Sequence, residues 1–292
     1  LVLTEMAGCF AKSVTTGADN QTASTFYGVV GATGANVTDT LNASDILSGS
    51  GSTDVLNITA TATNTDATNG ASITGIETVN IKASSAATAT INASLISGLT
   101  TVNNNAGAGA VTVTNLATGA AIGVVGNGAV VNGTTSYAYK TASAAQVINI
   151  SGGTTGGNIT NTAGTGVTNA TINSTGADNT VGTIKLDSAN GGTITSLTVN
   201  AAKALSATLT ATDFAATSAV TISGAAVTSA DSTRAISSGV NLGANTTNFK
   251  TVDASGLSGG VTMTLGTGLT SFKGGAGQDI VTTATLTATT AG

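Results

Sequence analysis

A chain of 292 residues with no His, no Trp, no Pro and a single Cys lacks the parts for a His-ligated metal centre, a Ser-His-Asp triad, a Cys-His pair or an intramolecular disulfide. Its formal charge is −5 with only 8 Lys and Arg, and no basic cluster exists to neutralise phosphates, so nucleic acid is not expected as a partner. No run of about 18 apolar residues occurs, so no membrane-spanning helix is expected. Charged residues make up 7% and aromatics 3% of the chain, while mean hydropathy is +0.32. That balance argues against ordinary disorder, and it leaves Val, Ile, Leu and Ala to build a thin core. Thin cores suit elongated folds in which each coil buries small side chains against its neighbours.

In chain order, residues 1–35 hold Met6, Cys9, Phe10, Phe26 and Tyr27, a large share of the bulky side chains. They read as an N-terminal cap or docking segment, or as the tail of an upstream domain. The start without Met resembles a fragment or a mature product. Met6-Ala-Gly-Cys9 loosely resembles a lipoprotein cleavage box, but Glu5 interrupts the apolar stretch before it, and a small inert thiol is the plainer reading of Cys9.

Residues 36–292 form a Gly/Thr/Ala/Asn-rich region of short β runs. The runs lie at 55–58, 78–81, 89–91, 101–102, 110–113, 129–131, 147–150, 170–172, 183–186, 196–199, 207–209, 219–222, 250–252, 261–265 and 280–281. Most alternate, as in Val111-Thr-Val113, Ile148-Asn-Ile150 and Leu197-Thr-Val199, which sets apolar residues on one face and Thr or Asn on the other. Single helical turns are predicted at 94–96, 143–147 and 213–216. The pattern predicts an all-β, elongated β-solenoid of short strands, like a parallel β-helix, with antiparallel β-sandwich modules as the alternative. Small core residues and Asn or Thr able to ladder between coils favour the solenoid.

Two Gly/Asp turns stand out: Leu47-Ser-Gly-Ser-Gly-Ser-Thr-Asp54 and Gly274-Gly-Ala-Gly-Gln-Asp279, each followed by an apolar strand. Together with Ile73-Thr-Gly-Ile-Glu-Thr-Val-Asn-Ile81, Gly98-Leu-Thr-Thr-Val-Asn103 and Thr251-Val-Asp-Ala-Ser-Gly-Leu257, they resemble bacterial surface-layer (S-layer) proteins of the type I-secreted kind that carry repeats-in-toxin turns. The first turn departs from the family pattern at Ser50 and Ser52; the second keeps every glycine. The resemblance implies calcium half-sites at Gly274, Gly275, Gly277 and Asp279, and more weakly at Gly49, Gly51 and Asp54 with Asp45 nearby. Glycines permit tight curvature that turns carbonyls inward and Asp supplies charge, but Ca²⁺ takes about six to eight oxygens, so a lone turn needs a neighbouring loop or subunit. Without calcium, each is a glycine turn that closes a coil. Glu77 reads as a solvated face residue and Asp253 as a turn cap beside Ser255.

The expectation is therefore a non-enzymatic, extracellular structural protein of a bacterial cell-surface array, assembling laterally with copies of itself, with calcium bridging contacts and a surface polysaccharide as a further partner. The alternative is a phage virion fibre or decoration protein, or a secreted adhesin presenting loops to a glycan; its aromatic clusters would be Phe26/Tyr27 and Tyr137/Tyr139. A polysaccharide lyase on a parallel β-helix would need a catalytic cluster that the sequence does not display. Sequons such as Asn57-Ile-Thr59 recur because the composition generates them.

Overall fold

Alternation along each strand sends every second side chain inward, and the computed structural model, which describes residues 11–34, 38–163, 166–189, 191–227, 238–243 and 248–283, stacks those strands into a parallel β-solenoid. Strands taken in chain order alternate between two walls. One wall is a twelve-stranded sheet running from Ala11–Ser13 to Ser271–Lys273; the other is a three-stranded sheet from Asn20–Ala23 to Ser72–Thr74, followed by a nine-stranded sheet from Thr88–Asn92 to Ile280–Thr283. The pairings among the described strands are parallel, so the antiparallel sandwich alternative is not what forms. Among the described residues two short 3₁₀ turns interrupt them, Ala93–Leu95 and Ala211–Asp213.

The core is a set of columns rather than a centre. On the long wall Leu56, Val79, Val102, Ile122, Ile148 and Ile172 lie in register one above the next, each at most 1% exposed. Burying each such side chain is worth about 1.5–3 kcal/mol before chain entropy is charged against it. Corners are tight. Gly133 N–H donates to Gly107 O (2.9 Å), and a Cβ on Gly133 would lie 2.1 Å from the carbonyl oxygen of Gly109 one coil earlier. Coil length is variable because loops differ, as the irregular strand spacing predicts.

Three local expectations are corrected. Residues 129–131 form no strand: Asn127 Oδ1 accepts the N–H groups of Ala129 and Val130 (3.0 Å each), so a side chain takes the donors a ladder would need, and Val131 makes only an isolated bridge to Thr155. Residues 143–147 are no helical turn, because the strand Ala145–Ser151 begins inside them. The turn predicted at 94–96 overlaps the 3₁₀ turn Ala93–Leu95, whereas of 213–216 only Asp213 lies in a 3₁₀ turn and residues 214–216 open the strand Phe214–Gly224. Cys9 lies outside the described residues. Ala11–Ser13 and Thr25–Val30 already pair as the first strands of the long wall.

Candidate functional site

Three groups of residues carry the chemistry: two acidic turns and the outer face of the long wall.

The first turn joins Ile46–Gly49, in the three-stranded sheet, to Val55–Ala60 in the long wall. Asp54 is 1% exposed. Its Oδ2 accepts the Gly51 N–H at 2.7 Å, while its own N–H donates to Glu77 Oε2 of the next coil at 2.7 Å. Gly49 is required by close approach: a Cβ there would sit 1.7 Å from Gly75 O. Asp45, also 1% exposed, accepts from Asp19 N (3.0 Å) and Asn42 N (2.8 Å). Asp45 and Asp54 thus stand at opposite ends of the strand Ile46–Gly49, each fastening a different corner.

The second turn follows Ser271–Lys273. Asp279 Oδ1 accepts from Gly275 N within the turn (3.1 Å) and from Val261 N of the preceding coil (2.9 Å). A Cβ on Gly274 would collide with Asp279 Oδ2 at 1.7 Å, and one on Gly275 with Gly259 O at 2.0 Å. Gly277 lies in the bend between. Both turns share one plan, in which the closing Asp accepts a glycine N–H of its own turn and ties to an adjacent coil. They sit in coils at opposite ends of the described solenoid and do not come together. Among the described residues no three His, Cys, Asp or Glu side chains group as metal ligands.

The outer face of the long wall was foreseen only as a general tendency to ladder. Asn80 Nδ2 donates to Asn57 Oδ1 (2.9 Å) and Asn103 Nδ2 to Asn80 Oδ1 (2.8 Å), steps of 23 residues each. A second run begins at Asn149: Asn173 Nδ2 donates to Asn149 Oδ1 (2.8 Å) and Asn200 Nδ2 to Asn173 Oδ1 (2.9 Å), steps of 24 and 27. Between the runs the same register position is Gly123, where a Cβ would meet Asn103 Oδ1 at 1.8 Å. A parallel column two residues earlier contains Thr78 and Thr101, then Thr171, Thr198 and Thr221. The sequence signal for this face is the recurring Thr-apolar-Asn triplet at 78–80, 101–103, 171–173 and 198–200. A depression of about 280 Å³ on the face is lined by Tyr27, Asn57, Asn80 and Lys82 among others.

A hollow of about 500 Å³ at the corner beside Gly133 is walled by Gly and Ala residues with Thr88, Thr134, Asn132 and Asn158, and no titratable side chain lines it. Glu77 does more than face solvent, since its carboxylate caps the Asp54 N–H. Asp253 is no turn cap, because it lies inside the strand Phe249–Leu257; its Oδ1 accepts the Ser255 N–H at 3.1 Å where the register with the preceding strand shifts. Hydrogen bonds from Ser255 and Lys273 hold the Asp253 carboxyl down at about 2. No helix among the described residues is long and apolar enough to cross a membrane.

Comparisons with family models, with curated proteins and with solved structures each return no match.

Proposed function

We propose that the chain is a structural unit of an extracellular bacterial surface array, similar to an S-layer, which associates laterally with copies of itself through its long wall. The observation that carries this reading is the outer Asn and Thr columns, in register across successive coils. Side-chain ordering is a main cost of association, about 0.5–1.5 kcal/mol for each rotamer-rich side chain immobilised. Ladder hydrogen bonds already fix the amides of Asn57, Asn80 and Asn103, so a flat partner surface meets groups with little freedom left to lose. The low charge density adds little repulsion between copies. The acidic turns serve in this reading as calcium half-sites, completed by oxygens from an adjacent loop or copy.

Electron microscopy of the purified protein tests the assembly directly. Sheets or a continuous lattice are expected; isolated spikes or fibres would point to the virion-fibre or adhesin alternative and overturn the array. The calcium component is tested separately by thermal melting. Added Ca²⁺ should raise the Tm of the wild type and do so less for Asp279→Asn, by the linkage of binding to folding. A wild-type Tm indifferent to both Ca²⁺ and chelator removes calcium and leaves the array standing.

A further inference from the structure

Polar groups inside so thin a core must find partners, and a chain of them crosses the interior around Leu186. The Tyr137 hydroxyl donates to Gln146 Oε1 (2.6 Å); Gln146 Nε2 (2.9 Å) and Asn161 Nδ2 (3.0 Å) both donate to Leu186 O; Leu186 N donates to Asp213 Oδ2 (2.6 Å). Tyr137, Gln146, Asn161 and Asp213 are each at most 2% exposed. Two acceptors in this set have no partner, Asn161 Oδ1 and Asp213 Oδ1, and they belong to the side chains that hold the carbonyl and the N–H of the same residue. Both are buried acceptors left without a donor, and of the two only Asp213 can take up a proton.

The surroundings push the same way. Asp213 ends the 3₁₀ turn Ala211–Asp213. The preceding coil faces it with Asp187 and Lys185, and Tyr137, on the strand Thr135–Tyr139 of the nine-stranded sheet, is close enough to feel its charge. Asp187 is itself buried, its carboxylate accepting from Ala189 N, Gly191 N and Thr193 Oγ1, so its charge repels a second one nearby. The Lys185 ammonium is turned to Ser188 O (3.5 Å), and Tyr139 stacks edge-on behind Tyr137 at 5.8 Å. On the following coil Asn248 bonds Ala211 O, and Phe249 stacks on Phe214. Burial drives the Asp213 carboxyl up to about 6, against the pull of the Leu186 and Asp187 N–H groups.

We propose that Asp213 makes this buried network a proton-sensitive latch: protonated, its carboxyl places no charge in the interior and the coil stays closed, and ionised, it leaves a buried charge beside Asp187 with no counter-ion paired to it among the described residues, which lets the coil open. Because the folded value lies above the ordinary 3.8, the stabilisation is fully present below about 3.8, is lost as pH rises through about 6, and is absent above it.

Hydrogen exchange on the full chain at pH 5 and pH 8, corrected for the intrinsic pH dependence, reads the latch at the Leu186 and Asp187 amides. Their opening should be at least about tenfold more frequent at pH 8, with no change at Asn80 or Ile81 on the distant coils. Asp213→Asn, neutral and able both to donate and to accept, should erase the difference and protect at both pH values at least as well as the wild type does at pH 5. Equal wild-type protection at the two pH values overturns the latch. So does an Asp213→Asn chain less protected than wild type at pH 8, which would mark a carboxylate that works ionised. Should that variant fail to fold, the wild-type comparison still decides, together with the ¹³C carboxyl titration of Asp213: a midpoint near 6 supports the latch and one below about 4 overturns it.

Discussion

Gly133 shows how little room a coil corner leaves. Its neighbour one coil earlier presents a backbone carbonyl, which cannot swing aside as a side chain would, so an added methyl must displace the coil itself. Gly133→Ala should therefore cost about 1–3 kcal/mol, the range for overpacking a filled interior. Gly268, with nothing within 4 Å of its added Cβ, supplies the control, and Gly268→Ala should change stability by less than about 0.5 kcal/mol. Urea midpoints of the two variants check the pair; equal losses would show that the corner is more yielding than its spacing indicates. The same closeness explains the glycines of the acidic turns. Gly49 and Gly275 are needed where successive coils touch, a reason that holds with or without a bound ion. A turn motif alone could not separate those two reasons, because curvature for a metal and clearance for a neighbouring coil select the same residue.

At the scale of the strand, the Asn columns convert a propensity into a specific register. A slip of one residue would turn every Asn inward and every Ile outward, so each ladder bond adds to a register the core already enforces. Asn80 is the informative member, since it donates to Asn57 and accepts from Asn103. Asn80→Ala breaks both bonds in a half-buried row and should cost about 1–2 kcal/mol; chemical denaturation measures it, and a loss no larger than that of a lone exposed Asn would show that water replaces the ladder at no cost. Strands such as 78–81 and 147–150 were legible because alternation marked both faces. Ala121–Val125 was not, since its first four residues are all buried and no polar face breaks the run. Thr135–Tyr139 escaped because its apolar members are tyrosines set among Thr and Ser. The Asp213 environment was illegible for another reason: Gln146 reaches Leu186 across 40 residues and Leu186 reaches Asp213 across 27, and no local pattern records contacts made between coils.

Across the whole molecule, each coil packs on the coil before and the coil after it, so stability is a sum of neighbour terms instead of a property of one centre. Electrostatics adds little to that sum: the ion pair Lys273–Asp253 (2.9 Å) is exposed on both sides, as surface pairs of small effect are. The consequence is that damage should stay local. Ile148 is fully buried and stacks between Ile122 and Ile172 on the long wall. Ile148→Ala leaves a cavity worth about 2–5 kcal/mol at that level, which a single-centred globule would spread over all its protected amides. In the solenoid the loss should appear in hydrogen exchange at the strands Ala121–Val125, Ala145–Ser151 and Asn169–Thr175, and fade within a few coils toward Val55–Ala60 and Gly260–Leu265. Limited proteolysis should then cut near the weakened coil and leave the flanking coils protected. Uniform loss of protection from end to end would mean that the coils fold as one cooperative block, with coupling between neighbours strong enough to hide the one-dimensional order of the chain.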